Sequence, residues 1–282
     1  MIQIVAECTK NTELMGDRSR SDNDLSTLQR GGTIMDGFVL EACVDSVESA
    51  LAASRGGADR LELCGNLVIG GTTPSPILFT EIRKQTDIDI HALIRPRYGD
   101  FCYSNFEFNI MRGEIKAFRE LGAEGVVLGI LKTDGTLNIE QLAELMDLAG
   151  EMSVTLHRAF DVCTNPYDTM EQAIELGIET ILTSGQKNVC TQAIELLKEL
   201  VEQSAGRIQI QVGGGIDASV IREVYHMTGA RAYHMSGKVL VDSSMAYRKD
   251  GVSMGLPSIS EYKIWQTDEA RIREARQVLE EL

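Results

Sequence analysis

Short apolar segments and longer amphipathic segments alternate along the chain from Phe38 to its C-terminus. Continuous apolar runs of this length are typical of strands buried on both faces. They predict eight strands, at 38–43, 60–64, 89–95, 125–130, 152–157, 179–183, 207–212 and 231–235. The segments between them predict amphipathic helices, the last over 267–282. Eight strands alternating with helices predict an α/β fold, a single-domain (β/α)8 TIM barrel over residues 38–282.

The predicted helices carry recognisable end signals. They include a capping box from Asp45 to Glu48, a helix end at Gly56-Gly57, a helix start at Ser75-Pro76, and N-cap residues Asn138 and Asp217. A helix-end glycine followed by an apolar strand also recurs, as GGADRLELC, LGAEGVVLG, LGIETILTSG and TGARAYHMSG. This loose repeat indicates reiterated helix–strand units.

The same elements could instead form an open, doubly wound parallel sheet. Such sheets commonly carry a G-x-G-x-x-G turn after the first strand. The residues after the first predicted strand, VDSVES, contain no glycine. The closed barrel is therefore the favoured architecture.

Residues 1–37 differ in composition from the rest of the chain. The stretch from Asn11 to Thr33 is polar and has no periodic apolar pattern, so we expect a poorly ordered extension. The stretch from Ile2 to Cys8 could form a short docked element, and Met35 is a possible alternative start.

Composition narrows the classes of function. Hydrophobic residues make up 43% of the chain, and the net charge is −15. This acidic balance argues against a nucleic-acid partner, which needs clustered Lys and Arg. The sequence predicts no membrane span and no secretory signal. Six cysteines without a framework spacing indicate reduced thiols and a cytoplasmic protein.

Polar residues concentrate where the predicted strands end, which is the active face of such barrels. Because residues two apart on a strand share a face, Glu41 points with Cys43, and Glu62 with Cys64. We expect both pairs to face the barrel interior near its top. A buried carboxylate needs a partner, and the candidates are Arg95, Arg97 and Arg158. A buried ion network and a catalytic site both remain open.

Two further groups at these strand ends predict an anion site. The first comprises Arg95, Arg97, Arg158, Ser184, Gly213, Gly214, Gly215, Ser236 and Gly237, in which arginine side chains and glycine amides would bind a phosphate or carboxylate. The second is the sequence HRAFD at 157–161. There His157 could act as acid or base, Arg158 could clamp an anion, and Asp161 could orient either.

The two thiols on neighbouring strands allow several interpretations. Adjacent strands lie roughly 4.8 Å apart, and two thiolates on one ion are separated by about twice a 2.3 Å bond. Cys43 and Cys64 could therefore share Cu(I) or Zn(II), which thiolates favour. They could also be buried apolar filler or a disulfide. Cys8, Cys102, Cys163 and Cys190 show no comparable pairing.

Several dispersed motifs together resemble the CutC copper-homeostasis family. They are LEACVDSVESALAASRGGADRLELCGNLVIGGTTPS, LIRPRYGDFCYS, TLHRAFD, ILTSG, VGGGI and YRKDGVSMG, which span the chain from about Phe38 to the C-terminal helix. The resemblance implies a cytoplasmic TIM barrel that forms homo-oligomers (dimers or tetramers) and binds Cu(I). The family's copper-binding cysteines correspond to Cys43 and Cys64.

Two main functional hypotheses follow. The first is a copper-homeostasis protein with Cu(I) as its ligand and no organic cofactor. The second is an enzyme acting on a small phosphorylated or carboxylated molecule. In that enzyme His157 is the acid or base, Glu41 or Glu62 is its counterpart, and Arg95 and Arg158 hold charge. A third, a scaffold acting through its outer surface, has no support beyond the helical exterior.

Overall fold

The computed structural model describes residues 37–252, 254–255 and 259–282. The strands are β1 Val39–Val44, β2 Arg60–Leu63, β3 Asp89–Leu93, β4 Gly125–Leu128, β5 Ser153–Leu156, β6 Thr180–Thr183, β7 Gln209–Val212, β8 Ala232–Met235, β9 Lys238–Asp242 and β10 Lys263–Thr267. The helices are α1 Val47–Gly56, α2 Pro76–Arg83, α3 Asn105–Glu120, α4 Ile139–Ala149, α5 Pro166–Glu175, α6 Ile194–Ser204, α7 Ala218–Thr228 and α8 Glu269–Glu280. The predicted extension at 1–37 lies outside the described residues except for Gly37.

Strands β1 to β8 are parallel and close into a barrel in sequence order, which confirms the predicted TIM barrel. The strands β9 and β10 form a separate antiparallel pair inserted between β8 and α8. The sequence predicts no strand after the eighth, so this hairpin is an element that it does not predict. The two segments, KVLVD and KIWQT, are separated by 20 residues, so no short turn signal joins them.

Most helix-end predictions are confirmed. Ser75, Asn138 and Asp217 each cap a helix through a side-chain hydrogen bond, and Gly57 ends α1 in the left-handed conformation. The capping box at Asp45 is wrong.

The cap of α1 is Ser46 instead. Its hydroxyl accepts a hydrogen bond from the Ser49 amide. Asp45 accepts one from the amide of Leu67, in the loop after β2. The chain therefore enters α1 one residue later than the sequence suggests.

Side chains that point outward from the strands pack against the helices. Leu40, Ala42, Leu61 and Leu63 are fully buried in the core between barrel and helices, as the alternation predicts. None of the helices in the described residues is long and apolar enough to cross a membrane.

Side chains that point inward form stacked layers, because each strand is staggered against its neighbour in a closed barrel. The strand register gives four layers, numbered from the N-terminal toward the C-terminal ends of the strands. The first is Arg60, Gly125, Thr180 and Ala232, and the second is Glu41, His91, Thr155 and Gln211. The third is Glu62, Val127, Leu182 and His234, and the fourth is Cys43, Leu93, His157 and Gly213. Barrels of this kind usually fill such layers with branched apolar residues. Here the second layer is entirely polar and entirely buried.

The small residue at Gly125 is a packing requirement of this polar interior. A β-carbon at that position would lie 2.7 Å from ring atoms of the buried His91. We expect Gly125→Ala to lower the free energy of unfolding by about 1–3 kcal/mol through overpacking. Urea unfolding measures this change.

The matched control is Gly113→Ala, inside α3, where a β-carbon meets nothing within 4 Å. We expect this substitution to raise the unfolding free energy by up to about 1 kcal/mol, because alanine favours the helix. Equal effects of the two substitutions would contradict the packing argument.

Candidate functional site

The C-terminal ends of the barrel strands open into one large cavity. Its volume is about 1110 Å³, and the β9–β10 hairpin contributes part of its wall. The predicted site residues that line it are Cys43, Glu62, Cys64, Arg95, His157, Arg158, Gly214, Gly215 and Ser236. Glu41, Arg97, Asp161, Ser184, Gly213 and Gly237 are not among its lining residues.

Glu41 lies below the cavity in the polar layer and is fully buried. Its carboxylate accepts a hydrogen bond from Arg60 Nε at 2.5 Å and lies 2.7 Å from His234 Nδ1. Burial alone would raise the pKa of Glu41, but Arg60 and His234 hold it well below its usual range. Glu41 is therefore an ionised carboxylate that is already paired.

This pairing corrects the expected partners of the buried acids. The sequence predicts Arg95, Arg97 or Arg158 as the partner, whereas Arg60 and His234 contact Glu41 in the structure. Arg60 is the first residue of β2 and faces inward two positions before Glu62. It lies at the start of its strand, away from the strand ends where the sequence concentrates its polar residues.

His234 is oriented by Glu41. The contact to Glu41 uses Nδ1, which leaves Nε2 turned toward Glu62, with 3.6 Å between Nε2 and the nearer Glu62 oxygen. Burial would lower the pKa of His234, but Cys43, Glu41 and Glu62 raise it well above its usual range. His234 lies near the end of β8, and the sequence alone indicates no role for it.

Cys43, Glu62 and His234 form a compact group of possible metal ligands. One ligand atom from each lies within 4.8 Å of the other two. The group spans three adjacent strands, since β1 pairs with both β2 and β8. A thiol, a carboxylate and an imidazole in such proximity can bind a single metal ion.

Cys64 lies beside this group rather than directly opposite Cys43. The strand register pairs Cys43 with Glu62, because the stagger of the barrel displaces neighbouring strands. The Cys64 thiol donates to a Glu62 carboxylate oxygen at 3.5 Å. The two thiols still pack in one small cluster with Leu93 and Val127.

Burial is the main influence on the pKa of two groups at the end of β2, the Glu62 carboxyl and the Cys64 thiol. It raises the pKa of the Glu62 carboxyl, and the charge of Glu41 adds to this while His234 opposes it. Burial also raises the pKa of the Cys64 thiol well above its usual range, with Glu62 and Cys43 contributing. Cys64 is therefore a neutral thiol at ordinary pH.

Arg95 lies on the other side of the cavity and is only 9% exposed. Its guanidinium donates to three backbone carbonyls, those of Gly70, Gly71 and Gly99. Within the described residues it forms no ion pair, and its Nε has no hydrogen-bond partner. The guanidinium also lies over the ring of Phe101, 4.9 Å from the ring centre.

His157 is 4% exposed, and its ring also contacts Phe101, with 4.6 Å between ring centres. Its Nδ1 accepts a hydrogen bond from the Ala159 amide at 3.1 Å. The proton of the neutral ring is therefore on Nε2, which has no partner in the described part of the chain. Burial lowers the pKa of His157 to about 3, and the nearby charge of Arg95 contributes.

Two of the other predicted charged residues, Asp161 and Arg97, form contacts that stabilise the loops. Asp161 accepts hydrogen bonds from Thr183 and Ser184 and pairs with Arg158 Nε at 2.6 Å. Arg97 lies outside the cavity and pairs with Asp100 and Glu107, so it does not join the mouth.

The glycine run after β7 is partly used by the fold. The Gly213 amide donates to the Thr183 carbonyl, continuing the barrel ladder. Gly214 and Gly215 have positive φ angles of 84° and 86° and line the cavity. The N-terminus of α7 that follows is capped by Asp217, so its amides are already satisfied by a carboxylate.

Ser236 and Gly237, which are predicted to continue this anion site after β8, also form hydrogen bonds within the fold. The carbonyl of Ser236 accepts from Thr267, and that of Gly237 accepts from the Asp268 amide. The chain then continues into β9 rather than into a helix.

The fold and the mouth together define a class of protein, a TIM barrel with a thiol, imidazole and carboxylate group at its C-terminal face. The sequence matches the CutC family over residues 38–239. The chain belongs to this family, which confirms the resemblance found in its motifs.

Individual relatives extend this match over most of the chain. The human copper homeostasis protein cutC homolog is 41% identical over 238 residues, covering 84% of this chain and 87% of that protein. A CutC family protein of Bacteroides thetaiotaomicron is 44% identical over 222 residues, covering 77% and 88%. The solved structure of CutC from Streptococcus agalactiae has a TM-score of 0.68 and 31% identity, covering 71% and 98%.

More distant structures share the fold alone. Phosphoribosylanthranilate isomerase from Pyrococcus furiosus has a TM-score of 0.51 and 12% identity, covering 87% of this chain and all of that one. This likeness supports the barrel and nothing about chemistry.

The two interior carboxylates are expected to respond differently to neutralisation. Glu41→Gln should lower the free energy of unfolding by about 3–5 kcal/mol, because Arg60 would keep a buried charge without a partner. Glu62→Gln should cost much less, because the pKa of Glu62 is already raised. Urea unfolding compares them, and a larger loss for Glu62→Gln would show that the pairing is misassigned.

The buried histidines are expected to destabilise the protein in acid. The unfolded chain protonates histidine below about pH 6.5, whereas folded His157 has a pKa of about 3 and folded His91 a pKa of about 4. The stabilisation that the two neutral histidines give the folded state is thus present above pH 6.5, and it is lost as the pH falls toward the folded-state pKa values.

Ring NMR signals measure this directly. At pH 5 the folded protein should keep both rings neutral, and His157→Gln should flatten the dependence of stability on pH below 6.5. A His157 titration midpoint near 6.5 would contradict the expected burial.

Proposed function

We propose that this protein binds Cu(I) at the barrel mouth and takes part in copper homeostasis. The observation that carries the proposal is the approach of Cys43, Glu62 and His234 to within 4.8 Å of one another. Cys64 adds a second thiol in contact with the same group. The human relative is named a copper homeostasis protein, which supports the same role.

The ligand chemistry favours Cu(I) through the two thiols and the imidazole. Thiolates are soft ligands that select Cu(I), and imidazole suits copper as well. The Glu62 carboxylate is a hard ligand and is better suited to Zn(II). Cys43, Cys64 and His234 are therefore the proposed Cu(I) ligands, with Glu62 as a neighbour that receives the hydrogen bond of the Cys64 thiol only while no metal is bound.

Glu41 and Arg60 would act as positioning residues for this site. Histidine ligands commonly hold their second ring nitrogen against a carboxylate, which fixes the orientation of the ring. The contact between His234 Nδ1 and Glu41, at 2.7 Å, has this form. Arg60 in turn holds Glu41, so Nε2 of His234 is kept turned toward Glu62 and Cys43.

We further propose that the protein works in the cytoplasm and as a homo-oligomer, a dimer or tetramer. The site needs reduced thiols, and Cys43 and Cys64 are both free and buried. Fractionation of cells expressing the protein and light scattering of the purified chain test these two points.

An anaerobic competition titration with a chromogenic Cu(I) chelator tests the site. We expect one tight site per chain. Loss of a group that only orients a metal ligand typically weakens metal binding by roughly 10- to 100-fold. Cys43→Ser and His234→Gln remove proposed ligands themselves, so each should weaken Cu(I) binding by more than this. Circular dichroism establishes that each variant is folded before titration.

Cys102→Ser is the matched control, since Cys102 is partly exposed and does not line the cavity. It should bind Cu(I) as tightly as the unchanged protein. If the Cys43→Ser, Cys64→Ser double variant also does so, the thiol site is wrong.

An enzyme acting on a small phosphorylated or carboxylated molecule is the second candidate function. One observation favours it, the buried charge of Arg95, which pairs with no carboxylate among the residues that the structure describes. Of the proposed acid–base residues, Glu62 and His157 line the cavity and could reach a ligand. Binding of such a molecule is the first requirement of this function.

A further inference from the structure

We infer that the cavity contains a subsite for the carboxylate or phosphate group of a small organic molecule, formed by Arg95 and His157 around Phe101. This inference deepens the second candidate function, on which it rests, and it is independent of copper binding. The subsite lies on the β3 and β5 side of the mouth, whereas the thiol cluster lies on the side of β1, β2 and β8.

The first support is the unbalanced charge of Arg95. A guanidinium that is 9% exposed carries a large desolvation cost unless a negative charge compensates it. The carbonyls of Gly70, Gly71 and Gly99 supply dipoles but no net charge. An anionic ligand in the cavity that Arg95 lines would provide the missing charge.

The second support is the unsatisfied donor on His157. Its Nδ1 is occupied by the Ala159 amide, so the neutral ring can only donate through Nε2. That nitrogen is buried and has no acceptor in the described residues, although His157 lines the cavity. Buried donors are nearly always paired, so an acceptor atom on a ligand is the expected partner.

Phe101 brings these two donors into one subsite. Its ring contacts both the Arg95 guanidinium, at 4.9 Å, and the His157 ring, at 4.6 Å. Both groups are thus held by contacts to the same aromatic ring, and the Arg95 charge lies close enough to His157 to lower its pKa. Arg158, Gly214 and Gly215 line the same cavity and could extend the set of donors.

The remaining walls carry charges of both signs. Asp45, Glu48 and Glu62 line the cavity on the β1 and β2 side, whereas Lys238 and Lys263 line it with Asp242 and Glu261 on the hairpin side. A ligand held at the subsite would therefore meet acids on the β1 and β2 side of the cavity and charges of both signs on the hairpin side. A volume of about 1110 Å³ is larger than a bare phosphate needs and suits an organic molecule.

Titration of the metal-free full-length chain with inorganic phosphate and with acetate, at constant ionic strength in chloride, tests this inference. The protein is labelled with ¹⁵N histidine, and the four histidines of the sequence are followed by NMR. We expect a saturable shift of the His157 Nε2–H signal with one or both anions. The anion that binds more tightly identifies the class, and no shift with either would overturn the inference.

Arg95→Gln should weaken anion binding by about tenfold or more, the loss typical of a charged hydrogen bond. Arg83→Gln is the matched control, because Arg83 also lies over a phenylalanine ring but pairs with Glu124. Arg83→Gln should bind like the unchanged protein. Equal binding by Arg95→Gln would refute the subsite.

If Arg95→Gln does not fold, the His157 signal of the unchanged protein still decides the question. Failure of anion binding with intact Cu(I) binding would remove the subsite and leave the copper site standing. Anion binding that persists in the Cys43→Ser, Cys64→Ser variant would support the subsite whatever the outcome for copper.

Discussion

The buried carboxylate of Glu41 is the interaction on which the interior of this barrel depends. It lies at the level where most barrels have apolar side chains, and it is stabilised there by Arg60 and His234. Removing either Glu41 or Arg60 would leave the other with a buried charge and no ion-pair partner, which is more costly than never having had the pair. The network therefore fixes the position of His234, and through it the geometry of the mouth.

The cavity above this network has two chemically different sides. Around β1, β2 and β8 it presents thiols, an imidazole and a carboxylate, which are ligands for a soft or borderline metal. Around β3 and β5 it presents a buried cation and an N–H donor, which suit an anion. A protein with both sides could bind metal and small molecule together, so the two proposed functions are compatible and can be tested separately.

Particular residues show how far sequence reasoning reached. The alternation in β1 and β2 correctly predicted that Leu40, Ala42, Leu61 and Leu63 face the helices, because side-chain direction in a strand is a local property. It also predicted a Cys43–Cys64 pair, but the register sets Cys43 opposite Glu62. The contacts of Arg60 and His234 to Glu41 could not be inferred from the sequence, because they depend on the stagger of the barrel strands.

The sequence by itself determined the number and order of the barrel strands, the inward or outward direction of their side chains, and the family. These follow from local periodicity and from motifs that are contiguous in the chain. The tertiary structure decided which inward side chains meet, because closure of the barrel shifts each strand against the next and joins β8 to β1. That shift brings His234 to Glu41 across 193 positions of sequence and makes one site from three strands.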